Sequence, residues 1–243
     1  MLKIWNASNF RRTVGGLCLI AGGLLNLAGE LIFPSPPGGQ WTPSGYLAIA
    51  TQQHDRLVLA TYIQIVWAIL FIPGLIALLH VIRARGVVLI HIGVILTVVG
   101  AALSGLVLAG FDLTLSFMGS PGLDSAAMTA LLQKGVNDPI GAPLVLGFFI
   151  ASFGFFLIGL AVWRSGFGYR WVGPLISIVI VAELIPVHNE IVSHVFSVLS
   201  VIGPVALGYR LLTMSDDEWE SGKVAEARPV AAMTSSSQPG LVQ

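Results

Sequence analysis

The chain has 243 residues, of which 55% are hydrophobic and 10% charged, and its mean hydropathy is +0.87. A water-soluble domain carries about 25% charged residues, so this composition excludes a water-facing globule of the same size. Twelve basic and twelve acidic residues cancel; with no basic cluster interleaved with aromatics, no nucleic-acid partner is expected. The single cysteine, Cys18, rules out an internal disulfide framework and a cysteine-rich metal site.

A hydrocarbon core of about 30 Å needs roughly 20 apolar residues in a helix. Six runs qualify in chain order: 13–33, 57–82, 87–111, 143–163, 171–187 and 191–212. The fifth is the shortest and ends near Pro186. As a single helix, the last two runs would be about twice as long as the bilayer is thick, so a tight turn at 186–189 is expected. The runs are long and continuous, without the two-residue alternation of a barrel strand. The expected fold is all-α: a polytopic membrane protein, a bundle of six transmembrane helices spanning 1–213. Lys3, Arg11 and Arg12 precede the first run in the order of a signal peptide, but no A-x-A site follows, so the run is expected to stay as a span.

With both termini placed in the cytoplasm, ten basic residues fall inside (Lys3, Arg11, Arg12, Arg83, Arg85, Arg164, Arg170, Arg210, Lys223, Arg228). Only Arg56 and Lys134 fall outside. That bias sets the expected orientation in a cell (plasma) membrane. The acids were not used for it, yet Glu30, Asp55, Asp112, Asp124, Asp138, Glu183 and Glu190 all fall on the outer side.

Between the spans, two outer loops carry helix signals. In 34–56 a Pro- and Gly-rich opening is followed by a possible surface helix at 44–53. In 113–142, Asp124 is a plausible N-cap for a helix over 126–133 that Gly135 stops. Met128, Leu131 and Leu132 share one side of it, which suits a helix capping the bundle. From 214 to 243 the chain turns acidic, then rich in Ala, Ser and Pro, and is expected to be a disordered cytoplasmic tail.

Small residues mark helix contacts in lipid. The first span carries Gly15, Gly22 and Gly29; the third Gly93, Thr97, Ala101, Gly105 and Ala109; the fourth Gly147 and Ala151; the fifth Gly173 and Ser177. They predict one compact bundle.

Ionisable groups inside a bilayer are costly and point to function. Glu183 is the deepest acid, about 18 Å from Trp171 by helical rise. His188, Glu190 and His194 follow within the next turn and span, with Glu190 and His194 on one helical face. Glu30 shares a polar face of the first span with Gly22 and Asn26, Asp112 ends the third, and His54 precedes the second at the same membrane level. Together Glu183, His188, Glu190, His194, Glu30, Asp112 and His54 form a candidate outward-facing polar pocket. It would bind or pass a small solute or cation, with Glu183 carrying a proton. His188, His194 and Glu183 have the ligand types of a divalent metal site, although the spacing is not that of a zinc protease. Two alternatives stand beside this reading: a non-catalytic component docking a partner, and a metal-dependent membrane enzyme acting on lipid. Besides the lipid bilayer, a second copy of the chain is a possible partner. Paired histidines on the inner side, His80 and His91, would suit haem b, and six-helix b-type cytochromes are similar in helix count. The fourth run has no histidine, however, so no cofactor is indicated.

The basic N-terminus, the Pro-rich first outer loop, Gln53-His54-Asp55-Arg56 before the second span and the acidic tail give a layout. It resembles that of uncharacterised multi-pass integral membrane proteins of actinobacteria. The resemblance covers most of the chain, rests on no signature motif and implies no activity.

Overall fold

The computed structural model describes residues 7–39, 42–137, 142–184 and 190–221. All regular structure among them is helical. The helices are α1 (Ala7–Ile32), α2 (Pro43–Gln52), α3 (His54–Val81), α4 (Val87–Met118), α5 (Ser125–Asn137), α6 (Ala142–Ser165), α7 (Val172–Glu183), α8 (Glu190–Thr213) and α9 (Asp216–Ser221). Five of them, α1, α3, α4, α6 and α8, are long and apolar enough to cross a membrane. The protein is therefore an all-helical polytopic bundle, as expected. The sixth expected span corresponds to α7, which has 12 residues. At 1.5 Å per residue it covers only about 18 Å, and the expected turn at 186–189 lies outside the described residues.

Each membrane-length helix and α7 pack mainly on two neighbours, in the cyclic order α1, α3, α4, α6, α7, α8 and back to α1. Glycines set the spacing. On α1, Gly15, Gly22 and Gly29 lie against Ala77, Phe71 and Gln64 of α3. The adjacent pair Gly16 and Gly23 lies against α8, where a Cβ on Gly16 would come within 2.9 Å of the Gly208 carbonyl. α1 thus presents two small-residue faces and is held between α3 and α8.

The α4–α6 contact is built from Gly93, Thr97, Gly100 and Ser104 against Gly147, Ala151, Gly154 and Ile158. This corrects the expected stripe in its upper part. Ala101, Gly105 and Ala109 are replaced by Gly100 and Ser104, and a Cβ on Gly105 would meet nothing within 4 Å. Gly159 and Gly173 bring α6 and α7 together, with Ser177 donating to the Phe156 carbonyl at 3.2 Å. The α3–α4 turn needs Gly86, whose φ is +90° and whose Cβ position lies 2.8 Å from the Ala161 carbonyl.

Two apolar clusters close the ring. We call the end bearing Arg12, Arg83 and Arg210 the basic end and the opposite one the distal end. Leu19, Leu75, Leu78, Ile82, Ile90, Val162, Phe167, Leu207, Leu211 and Trp219 belong to the core toward the basic end. The distal cluster is Leu47, Ile49, Ala50, Leu57, Leu115 and Leu132. It is formed by α2 and α5 lying over the ends of α3 and α4. Both loop helices were legible, but α5 runs on to Asn137 and Gly135 does not stop it as expected; Thr42 caps α2 by accepting from Gly45 N at 3.2 Å, and Asp124 caps α5 by accepting from Ala126 N at 2.9 Å. α2 is no surface helix, however, because Leu47, Ile49 and Ala50 are buried. On α5, Leu132 and Met128 face the cap while Leu131 is half exposed.

The tail departs from expectation at its start. Disorder was expected from 214 onward, but Met214 is buried and 216–221 form α9 with Trp219 only 2% exposed. The cause is a set of specific contacts that composition averages away. Ser215 and Glu218 form a capping box, with Ser215 N donating to Glu218 Oε2 at 3.1 Å and Glu218 N to Ser215 Oγ at 3.2 Å. Arg12 pairs with Asp216 at 2.8 Å and donates to the Met214 carbonyl at 2.7 Å. Arg210 pairs with Glu218 at 3.1 Å, and Arg83 donates to the Glu220 carbonyl at 2.9 Å. Residues 222–243 lie outside the described residues.

Candidate functional site

Seven extra residues on α4 decide the chemistry of the distal end. The expected span stops at 111, but the helix continues to Met118. That extension carries Asp112 beneath α2 and α5, so the acid is 2% exposed and its Oδ2 is buried without a hydrogen-bond partner.

Two residues absent from the expected set meet Asp112. Thr61 of α3, fully buried, lies within hydrogen-bonding reach of the carboxyl. Tyr46 of α2 lies within electrostatic reach, and its ring meets Phe111 edge-on with centroids 5.6 Å apart. Burial, and secondarily the neighbouring Asp112, push the Tyr46 phenol above its ordinary value. One turn beyond Asp112, Ser116 is buried and donates to the Leu113 carbonyl at 2.7 Å. The sequence held one signal for this grouping. Asp112 is 26 residues past Gly86 and Leu57 is 26 before Arg83, so an antiparallel pair places Asp112 near Leu57 and Thr61.

Glu30 and His194 form a second polar grouping. They lie on α1 and α8 within electrostatic reach of one another, and both are exposed on the protein surface. Beside His194 is a groove of about 410 Å³ lined by His194, Val195, Val198 and Leu199. Glu190 starts α8 and Glu183 ends α7. The side chains of both, and all of His188, lie outside the described residues, so their meeting with His194 is an expectation. His54 is exposed on the first turn of α3.

No three His, Cys, Asp or Glu come together among the described residues. At the basic end, His80 is engaged by Arg83 and by the Trp219 ring, and His91 Nδ1 contacts the Val87 carbonyl at 2.8 Å. Arg12, Arg83, Arg210 and Trp219, which hold α9 in place, were not expected to act together. The first three read in sequence only as orientation signals.

Of the seven expected pocket residues, three fall into two distal groups, Asp112 with Thr61 and Tyr46 under the α2–α5 cap and Glu30 with His194 at the α1–α8 seam; His54 lies apart, and Glu183, His188 and Glu190 stay expectations. No protein family model matches the chain, and no curated protein or solved structure is significantly similar to it.

Proposed function

We propose that this membrane protein binds, and passes, a small solute or cation at its distal end, through a polar site at the seam of α1 and α8. The observation that supports this is that Glu30 on α1 and His194 on α8 lie within electrostatic reach of one another. An acid and an imidazole set on different helices at a membrane edge can exchange a proton or share a cation as conditions change. Glu183, His188 and Glu190 would complete the site from the α7–α8 connection.

The test is charge movement in proteoliposomes on a solid-supported membrane. Concentration jumps of H⁺, Na⁺, K⁺, Mg²⁺ and Zn²⁺ would each be applied to the full-length protein. A transient current for at least one ion is expected, reduced at least tenfold in Glu30→Gln and His194→Ala. Silence toward all five, or currents indifferent to both substitutions, would reject the reading.

A further inference from the structure

The hydroxyl protons around Asp112 are already committed. Thr61 Oγ1 donates its one proton to the Leu57 carbonyl at 2.9 Å, and Ser116 Oγ donates to the Leu113 carbonyl at 2.7 Å. With its proton on the Leu57 carbonyl, the Thr61 hydroxyl has only a lone pair left to offer Asp112. A carboxylate facing a lone pair gains no hydrogen bond, whereas a carboxylic acid gives its O–H to it. The remaining surroundings do not supply a counter-charge. Tyr46 is the titratable group from α2, and Thr61 is the polar neighbour from α3. The apolar cluster at this end adds Leu132 and Met128 from α5, Phe33 just after α1, and Leu115 from α4 itself. No Lys, Arg or His among the described residues forms an ion pair with Asp112; the Arg12–Asp216 and Arg210–Glu218 pairs sit at the other end. An ionised carboxyl left dry and unmatched is among the most costly groups a fold can bury.

We infer that Asp112 is a proton-binding site: it holds a proton under the α2–α5 cap and donates it in a hydrogen bond to Thr61 Oγ1. The cap residues Leu47, Ile49, Ala50, Leu57, Leu115 and Leu132 keep water out while it is shut. Lifting α2 and α5 would let water reach the carboxyl, stabilise its anion and release the proton on the distal side. The site is separate from Glu30 and His194, and the inference stands whether or not the α1–α8 seam conducts.

Infrared difference spectroscopy of the full-length protein in lipid at neutral pH tests it. The wild type should show the C=O stretch of a protonated carboxyl, and Asp112→Asn should abolish that band. Thr61→Val, which removes the acceptor but keeps the shape, should move the band to higher frequency, and Thr61→Ser should restore its position. If Asp112→Asn does not fold, the Thr61 pair gives the same answer in folded protein. The band should be unchanged in Glu30→Gln with His194→Ala, and in sodium or choline chloride. A band absent from the wild type, insensitive to Thr61, or replaced by a carboxylate signal when sodium is added would overturn the inference.

Discussion

The Trp219 ring lies over the His80 imidazole, with centroids 4.4 Å apart and planes inclined by 32°. Trp219 is 2% exposed although it belongs to a six-residue helix in an acidic stretch. A helix this short has no stability of its own, so its position depends on that ring and on Arg12, Arg83 and Arg210. Removing a buried Trp side chain costs about 3–5 kcal/mol, more than an exposed pair such as Arg12–Asp216 contributes. Trp219→Ala should therefore release α9 as a unit while the membrane helices stay assembled. Limited proteolysis would show it as cleavage near 214–221 at least tenfold faster than in the wild type. Equal cleavage rates would mean that the tail is held by something other than this ring.

Arg12 and Asp216 form a pair whose two partners are not equivalent. Asp216 is 54% exposed and Arg12 15%. Asp216→Asn should cost no more than about 0.5 kcal/mol, as exposed pairs do. Arg12→Ala also removes the donor to the Met214 carbonyl and should cost about 1–3 kcal/mol. Thermal unfolding of both variants in the same detergent would check the order. A larger loss for Asp216→Asn would contradict it.

Two glycines on α4 should respond in opposite ways. A Cβ on Gly100 would fall 2.6 Å from the Gly147 carbonyl and 2.8 Å from Ala151 Cα, which are backbone and cannot swing aside. Gly100→Ala should destabilise by about 3 kcal/mol or more, or block assembly. Gly105 meets nothing within 4 Å, so Gly105→Ala should be neutral or stabilise by up to about 1 kcal/mol. Monodispersity and melting temperature of the purified variants separate the two.

That contrast shows where the sequence was legible. The membrane-length helices were readable because hydrocarbon thickness fixes their length, and Asp124 was readable because an N-cap acts within one turn. The α1 glycines were readable because a seven-residue step returns to nearly the same helix face. The α4 stripe was misread above Thr97 because a strict four-residue step turns about 40° too far each time, drifting off the α6 face by Gly105. Alternating steps of four and three, through Gly93, Thr97, Gly100 and Ser104, stay on it. Asp112 was singled out but not its partners. Thr61 is one hydroxyl in an apolar run, and only the α3–α4 pairing reveals what it touches. Trp219 was lost in the average composition of the tail.

The Tyr46 phenol should titrate above its ordinary pKa of about 10. The sign follows from linkage. Between the unfolded and folded values the folded state binds more protons, so stability falls as pH rises through that window. Ultraviolet titration of the wild type against Tyr46→Phe should show one late-ionising phenol missing from the variant. An early-ionising phenol missing instead would place Tyr46 in water rather than beneath the cap.

Because α1 is clasped by α3 on one side and α8 on the other, the ring closes at a joint between the first and last membrane-length helices of the described residues. Without α8, the Gly16 and Gly23 face of α1 is left uncovered. α9, reaching from α8 back to Arg12 and Arg83, then acts as the clasp that fastens the finished circle.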